Sequence, residues 1–224
     1  MFREAYNISS KDYLILSHGD FLPSSNKKLL LRSFSHFLNI NPLARLVLVR
    51  LPKDENYLAE IRREVRRLDI QDATRIITNT SGISDENLRD AYYAADVCVF
   101  PSVEESTGIP VLQAWAAGKP VIASQCDVHD YLIENAEECG LKFDPSTYDA
   151  SQELLRKILK LYGDHQLSRS VSQNGHSRVL RQYQFSTIEK KLEFIYQRAE
   201  ENLEKTRGKA SSDEFRFYPK PQQN

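Results

Sequence analysis

The chain has 224 residues, of which 41% are hydrophobic and 27% are charged, so it can bury a sizeable core. Its 30 basic and 31 acidic side chains leave a formal net charge of -1 at pH 7, which argues against partners such as nucleic acid or an acidic membrane surface. The 3 cysteines lack the spacing of metal ligands and favour a reduced, cytoplasmic setting. No apolar run reaches the length of a transmembrane segment, although a partner could still hold the protein at a membrane surface.

The first two thirds of the chain predict strands that alternate with helices. Residues 1–12 have the character of a linker, and the compact domain begins with the first apolar run. Apolar runs rich in Val, Ile and Leu are typical of buried parallel strands. The predicted strands are Tyr13–Ser17, Arg45–Val49, Thr74–Thr78, Ala95–Phe100, Pro120–Ala123 and Leu141–Phe143. Helices are predicted between them, with Asn26 and Ser84 as the N-caps of two.

The last third of the chain is predicted to be helical. Helices are expected over Tyr148–Tyr162 and Asp164–Tyr183, and Ser186 is the predicted N-cap of a last helix over 186–206. The polar, Pro-rich residues 207–224 predict a disordered tail. For residues 13–185, the alternation of strands and helices predicts an α/β fold with a doubly wound parallel sheet, followed by the carboxyl-terminal helices.

The stretch AADVCVFPSVEESTGIPVLQAWAAGKPVIAS, from Ala94 to Ser124, is the centre of this pattern. It predicts a strand, a polar loop, a helix and a second strand. In open α/β sheets the loop after such a strand lies at the carboxyl edge, where ligands bind. The residues expected there are Glu104, Glu105, Ser106, Thr107 and Gly108. Only Gly19 follows the first strand, so the glycine fingerprint of an ordinary NAD-binding domain is absent.

The same stretch carries a dense motif, at Pro101, Ser102, Glu105, Gly108, Pro110, Gln113, Ala114, Ala117, Gly118 and Pro120–Ser124. This motif resembles the PS..EGFGLP.LEA.A.G.PVIAS signature of the large retaining glycosyltransferases of family four. The resemblance extends over residues 2–204, from the segment around Gly19 to the start of the last helix. It implies the Rossmann-like, carboxyl-terminal half of a GT-B fold, in which the last helix crosses between domains.

The resemblance implies a function for the chain. It is expected to bind a nucleoside diphosphate sugar and to transfer the sugar with retention of configuration, without a metal or another cofactor. In this family the acceptor is bound mainly by an amino-terminal domain. We therefore expect an amino-terminal glycosyltransferase half or a partner subunit, and expect the chain alone to be inactive.

The resemblance also implies roles for individual residues. The donor-binding positions are Gly19, Asp20, Ser25, Lys27, Ser106, Thr107, Gly108 and Gln113. Glu105 is the expected catalytic residue, close to the transferred sugar. Gln113 stands where the family has a glutamate that binds the ribose hydroxyls, and a glutamine keeps one acceptor there and adds a donor.

Charge is the main departure from the family. Asp20 and Ser25 stand where the family has an arginine and a lysine that meet the diphosphate, and Lys27 or Lys28 is the nearest substitute. An acid in a poorly hydrated phosphate site repels the ligand by about a few kcal/mol. This difference favours a second hypothesis, in which the chain is a non-catalytic glycosyltransferase-like module that binds another protein.

Several residues have a structural alternative to a functional role. Glu105 precedes a predicted helix, so its carboxylate could cap that helix instead of facing a ligand. His18 lies at the end of a strand and is either a donor contact or a turn residue. Trp115 and Cys98 are expected to pack in the core.

Overall fold

The structure is a computed structural model that describes residues 2–49, 54–78, 84–134 and 138–207. It divides into two compact units, one that ends at Leu180 and one that starts at Arg181. Of the tail predicted over 207–224, Arg207 is the last residue of a helix, and 208–224 lie outside the described residues. No described helix is long and apolar enough to cross a membrane.

A parallel sheet of six strands forms the centre of the first unit. The strands are β1 (Tyr13–His18), β2 (Ala44–Val49), β3 (Thr74–Ile77), β4 (Val97–Phe100), β5 (Val121–Ser124) and β6 (Leu141–Phe143). Their order across the sheet is β3-β2-β1-β4-β5-β6, and every pair of neighbours is parallel. The predicted doubly wound α/β fold is therefore confirmed, and each predicted strand is present within two residues of its expected start.

Helices cover both faces of this sheet. They are α1 (Phe2–Ala5), α2 (Lys27–Ile40), α3 (Glu55–Arg67), α4 (Asp85–Ala94), α5 (Ile109–Ala116), α6 (Asp127–Leu132), α7 (Ala150–Gly163) and α8 (His165–Gln182). The second unit contains one further described helix, α9 (Phe185–Arg207). Because helices pack on both faces, all four residues of β4 and of β5 are buried. This explains why the sequence of these strands is a continuous apolar run without polar alternation.

Of the three predicted N-caps, the structure confirms Ser84 but not Asn26 or Ser186. Ser84 caps α4 as expected, since its hydroxyl accepts the Asn87 N–H at 3.2 Å. The prediction for Asn26 is wrong in mechanism, because this residue adopts a left-handed conformation (φ 51°) after the turn Pro23–Ser25 and its side chain makes no capping bond. Instead the Lys27 N–H donates to the Tyr57 hydroxyl of α3 at 3.1 Å. Ser186 is not an N-cap either, because α9 already begins at Phe185.

The amino-terminal segment packs closely on the domain. Phe2 and Ile8 are 7% and 4% exposed. The Arg3 guanidinium donates to the Ala94 carbonyl at 2.7 Å and pairs with Asp96 at 2.9 Å. Residues 2–10, predicted to have the character of a linker, are thus fixed against the end of α4 and the start of β4.

Trp115 joins three elements of the core, as expected for a packing residue. Its side chain is fully buried, and its Nε1–H donates to the Cys139 carbonyl at 2.8 Å. Gly175 of α8 lies directly on the indole: a Cβ there would stand 2.6 Å from Nε1 and 2.8 Å from Cγ. The close approach of α8 to α5 therefore requires a glycine at this position.

We predict that Gly175→Ala lowers the free energy of unfolding by about 1–3 kcal/mol, because the hydrogen-bonded indole cannot move away from an added methyl group. Gly163→Ala is the matched control, since a Cβ at that helical glycine meets nothing within 4 Å. Urea unfolding of both variants checks the prediction. Equal stability of Gly175→Ala and the unsubstituted chain would contradict it.

Candidate functional site

The strand order creates a cleft at the carboxyl edge of the sheet. The chain crosses from one side of the sheet to the other between β1 and β4, and at such a switch point the loops that follow the two strands separate. Here those loops remain in contact through one hydrogen bond, from the Val103 N–H to the Ser24 carbonyl at 2.8 Å. They enclose a cleft of about 340 Å³, lined by Gly19, Asp20, Leu22, Ser24, Ser25, Ser102, Glu104, Glu105 and Ser106.

Glu105 is held by the backbone of its own loop. One carboxylate oxygen, Oε1, accepts the N–H groups of Ser106 at 3.1 Å, Thr107 at 3.2 Å and Gly108 at 3.2 Å. Gly108 is the N-cap residue of α5 and has no side chain, so Glu105 supplies the acceptor that this helix start needs. The second oxygen, Oε2, makes no hydrogen bond to any residue in the described ranges, and Glu105 itself lines the cleft.

Gly108 is required by both conformation and packing. Its φ of +65° is strained for other residues, and a Cβ would stand 2.9 Å from Val128 Cγ1. Helix α6 therefore presses against the loop and fixes the direction of its N–H groups. The base of the loop is fixed as well, because the Ser124 hydroxyl at the end of β5 donates to the Ser102 carbonyl.

His129 supports the same corner of the sheet from α6. Its Nδ1–H donates to the Ser124 carbonyl at 2.9 Å, and the side chain is 1% exposed. Burial lowers the pKa of His129, because the charged imidazolium would lose its hydration. His129 is therefore neutral at physiological pH and acts as a structural donor.

The charged residues that line the cleft are acidic. Asp20, Glu104 and Glu105 line it, whereas no Lys or Arg is among the lining residues that the structure describes. Lys27 and Lys28, the candidate substitutes for the arginine and lysine of the family, contact other residues instead. Lys28 pairs with Glu60 of α3 at 2.5 Å. Lys27 is 1% exposed, and its Nζ lies 5.4 Å from the centroid of the Phe21 ring.

Gln113 belongs to a separate network beside the cleft. Its carbonyl oxygen accepts the Tyr92 hydroxyl at 3.2 Å, and that hydroxyl also lies 2.9 Å from His18 Nδ1 and 3.2 Å from the Pro110 carbonyl. The Gln113 carbonyl oxygen, which was expected to accept a hydrogen bond from a ribose hydroxyl, is thus already hydrogen-bonded to Tyr92. Gln113 lines a cavity of about 260 Å³ between α4 and α5, and its NH2 group is the donor left for a ligand there.

Tyr92 is a functional candidate that the sequence did not reveal. Its spacing placed it on the apolar face of α4, and it is indeed 3% exposed. Only the packing of α4 against β1 and α5 shows that its hydroxyl joins His18 to Gln113. His18 is 7% exposed, so at this strand end it is an internal contact of the network.

No group of three His, Cys, Asp or Glu side chains within the described ranges is arranged to hold a metal ion. Together, a Rossmann-like sheet, a cleft at its switch point and a helix start with three convergent N–H groups define a domain of the nucleotide-binding α/β class.

Comparison with known proteins is consistent with this class. The family model described as "Glycosyl transferases group 1" matches residues 1–178. MMP alpha-(1->4)-mannosyltransferase of Mycolicibacterium hassiacum is 26% identical over 124 residues, which are 55% of this chain and 29% of that protein.

Two solved structures show the same fold. The C-terminal domain of a glycosyl transferase group 1 family protein (LpcC) from Francisella tularensis has a TM-score of 0.70 at 23% identity, with coverage of 82% of this chain and 92% of that domain. HepE of Anabaena, solved with UDP-glucose, has a TM-score of 0.76 at 17% identity and 87% coverage. This chain spans 51% of HepE.

The chain therefore belongs to the glycosyl transferases group 1 family, and it corresponds to the carboxyl-terminal domain region of these GT-B enzymes. The resemblance predicted from the motif around Glu105 is confirmed at the level of family and fold.

We predict that Tyr92→Phe destabilises the first unit by about 1–3 kcal/mol, because it removes a buried hydroxyl whose contacts lie on β1 and α5. The neighbouring Tyr93, 58% exposed, provides the matched control Tyr93→Phe, which should change stability by less than about 0.5 kcal/mol. Thermal and urea unfolding measure both. Equal effects at the two positions would show that the Tyr92 network contributes nothing.

Proposed function

We propose that the chain is the donor-binding half of a retaining glycosyltransferase, which takes a sugar from a nucleoside diphosphate sugar and acts together with an amino-terminal domain or a partner subunit. The observation that carries this proposal is the cleft between the loops after β1 and β4. It lies at the switch point of the sheet, beside the three convergent N–H groups at the start of α5. That HepE was solved with UDP-glucose supports the same ligand class.

Several groups in and beside the cleft have a proposed part in binding the donor. Gly19 leaves open space beside the backbone, because even an added Cβ would meet nothing within 4 Å. The Ser106, Thr107 and Gly108 N–H groups suit a negatively charged oxygen. The Oε2 atom of Glu105 faces the hydroxyl groups of the sugar as an acceptor, and its orientation is already fixed through Oε1. This proposal includes no metal ion.

Glu105 and a diphosphate compete for the same N–H groups. The leaving diphosphate develops negative charge that needs donors or cations. In this chain the three N–H groups are filled by a carboxylate, and no cation lines the described part of the cleft. We therefore propose that the isolated chain binds the donor weakly, and that the amino-terminal domain or partner contributes positive charge as well as the acceptor site.

The acidic lining also favours a second candidate, a non-catalytic glycosyltransferase-like module. Asp20, Glu104 and Glu105 face one cleft, and Asp20 replaces a cation of the family motif. In this case the fold would serve an interaction with another protein. Isothermal titration calorimetry with UDP, GDP and their sugars tests this second candidate. Tight binding of one nucleotide sugar that Glu105→Ala abolishes would reject the non-catalytic candidate.

We predict that the unsubstituted chain binds UDP with a dissociation constant of about 10⁻⁴ M or weaker. The double substitution Asp20→Arg and Ser25→Lys should strengthen binding by about tenfold or more, because it places two cations in the lining and removes one acid. Asp72→Arg with Ser170→Lys is the matched control, since it makes the same change of formal charge at exposed positions outside the cleft. Equal affinities for all three proteins would contradict a diphosphate site between these loops.

A further inference from the structure

A large cavity lies at the edge of the sheet opposite the candidate donor cleft. It measures about 790 Å³, within the range of small-molecule sites. Asp96, directly before β4, and Lys119, two residues before β5, belong to its lining, so it opens at the amino ends of the strands. The segment around α1 and the end of α4 form its other walls. Nothing in the proposed donor binding uses it.

One wall of this cavity is apolar. Phe2, Ile8 and Ala95 are 7%, 4% and 2% exposed and line it together with Tyr93, which is 58% exposed. The exposed tyrosine ring therefore continues a buried apolar surface out to the solvent. Such a wall fits the aromatic or aliphatic body of a ligand.

Lys119 gives the cavity a positive group that no described carboxylate contacts directly, although the charge of Asp96 acts on it from a longer distance. Its side chain is half-buried, and its ammonium group forms no hydrogen bond or ion pair with the residues that the structure describes. Its backbone N–H donates to the Ala114 carbonyl at 2.9 Å. Burial lowers the pKa of Lys119, since its charge is poorly hydrated there, and an anion in contact would restore the lost stabilisation.

The other charges of the cavity are balanced. Arg3 and Asp96 pair at 2.9 Å, and Arg3 also donates to the Ala94 carbonyl. Asp90 lies 3.6 Å from Arg89, and Glu4 is exposed to solvent. Lys119 is therefore the charge that determines which ligand the cavity selects.

We propose that this cavity binds an amphipathic anion, with a carboxylate, phosphate or sulfonate group at Lys119 and an apolar body against Phe2, Ile8 and Tyr93. The site is separate from the candidate donor cleft, because the two lie at opposite ends of the strands. A ligand here contacts both α1 and α4 and so would bind the amino-terminal segment more firmly to the domain.

Two fluorescent probes with the same aromatic body test the proposal on the full chain. Anilinonaphthalenesulfonate carries a sulfonate, and phenylnaphthylamine is its neutral analogue. We expect saturable binding of one sulfonate probe per chain, and a loss of about tenfold or more in its affinity with Lys119→Met. Lys119→Arg should stay within about threefold of the unsubstituted chain, because it keeps the charge. The neutral probe should bind Lys119→Met and the unsubstituted chain equally.

Lys157→Met is the matched control for the loss of one lysine, since Lys157 of α7 does not line the cavity. Ala94→Leu provides a second test by filling the cavity, and it should weaken both probes even if Lys119→Met fails to fold. The unfolding midpoint of each variant is measured as well, and a lowered midpoint identifies a variant whose loosened core binds the probe. Unchanged affinity of the sulfonate probe in both Lys119→Met and Ala94→Leu, or its displacement by UDP, would overturn the proposal.

Discussion

The adjacency of β1 and β4 is the constraint on which the candidate site depends. These strands come from the two halves of the fold, and their register sets Ile15 beside Val97 and Leu16 beside Cys98. The loops that follow them would separate to opposite faces of the sheet. The bond from the Val103 N–H to the Ser24 carbonyl keeps the two loops together instead. A cleft with a fixed width results, and each residue that lines it belongs to one of these two loops.

Within this cleft, the carboxylate of Glu105 and a ligand phosphate require the same donors. Hydrogen bonds to a charged group are worth about 1.5–3 kcal/mol each, so three of them hold Glu105 firmly in place. A diphosphate must displace this carboxylate or bind beside it. Binding beside it leaves two anions in contact unless a cation separates them. Under the proposed function, binding of a diphosphate therefore needs positive charge from outside the described lining.

Much of the fold was predictable from the sequence, because burial on both faces leaves a direct signature. Strands such as Val97–Phe100 and Val121–Ser124 are short runs of apolar residues, and their spacing with helices leaves few alternatives to a doubly wound sheet. The N-caps were less predictable. Asn26 has the right side chain for a cap, but the turn before it imposes a left-handed backbone, and a tyrosine from α3 takes over the role.

The position of the candidate residues at the sheet edge was predictable, but their contacts were not. The sequence placed Glu105 and Gly108 at the sheet edge, since this follows from strand order alone. It could not determine that Lys28 reaches Glu60, or that Tyr92 occupies the carbonyl of Gln113. Those contacts depend on how α2 packs against α3 and α4 against α5. The residue pattern does not predict how either pair of helices packs, because the residues in contact are far apart in the sequence.

The central claim, that the cleft between the loops after β1 and β4 is the nucleotide-sugar site, is tested most directly by backbone amide chemical shifts in a titration with UDP-glucose. The claim predicts that the largest shifts cluster at Gly19–Ser25 and Ser102–Gly108, with the Thr107 and Gly108 amides among the first to move. Shifts that cluster elsewhere, or no shifts at millimolar ligand, would contradict it.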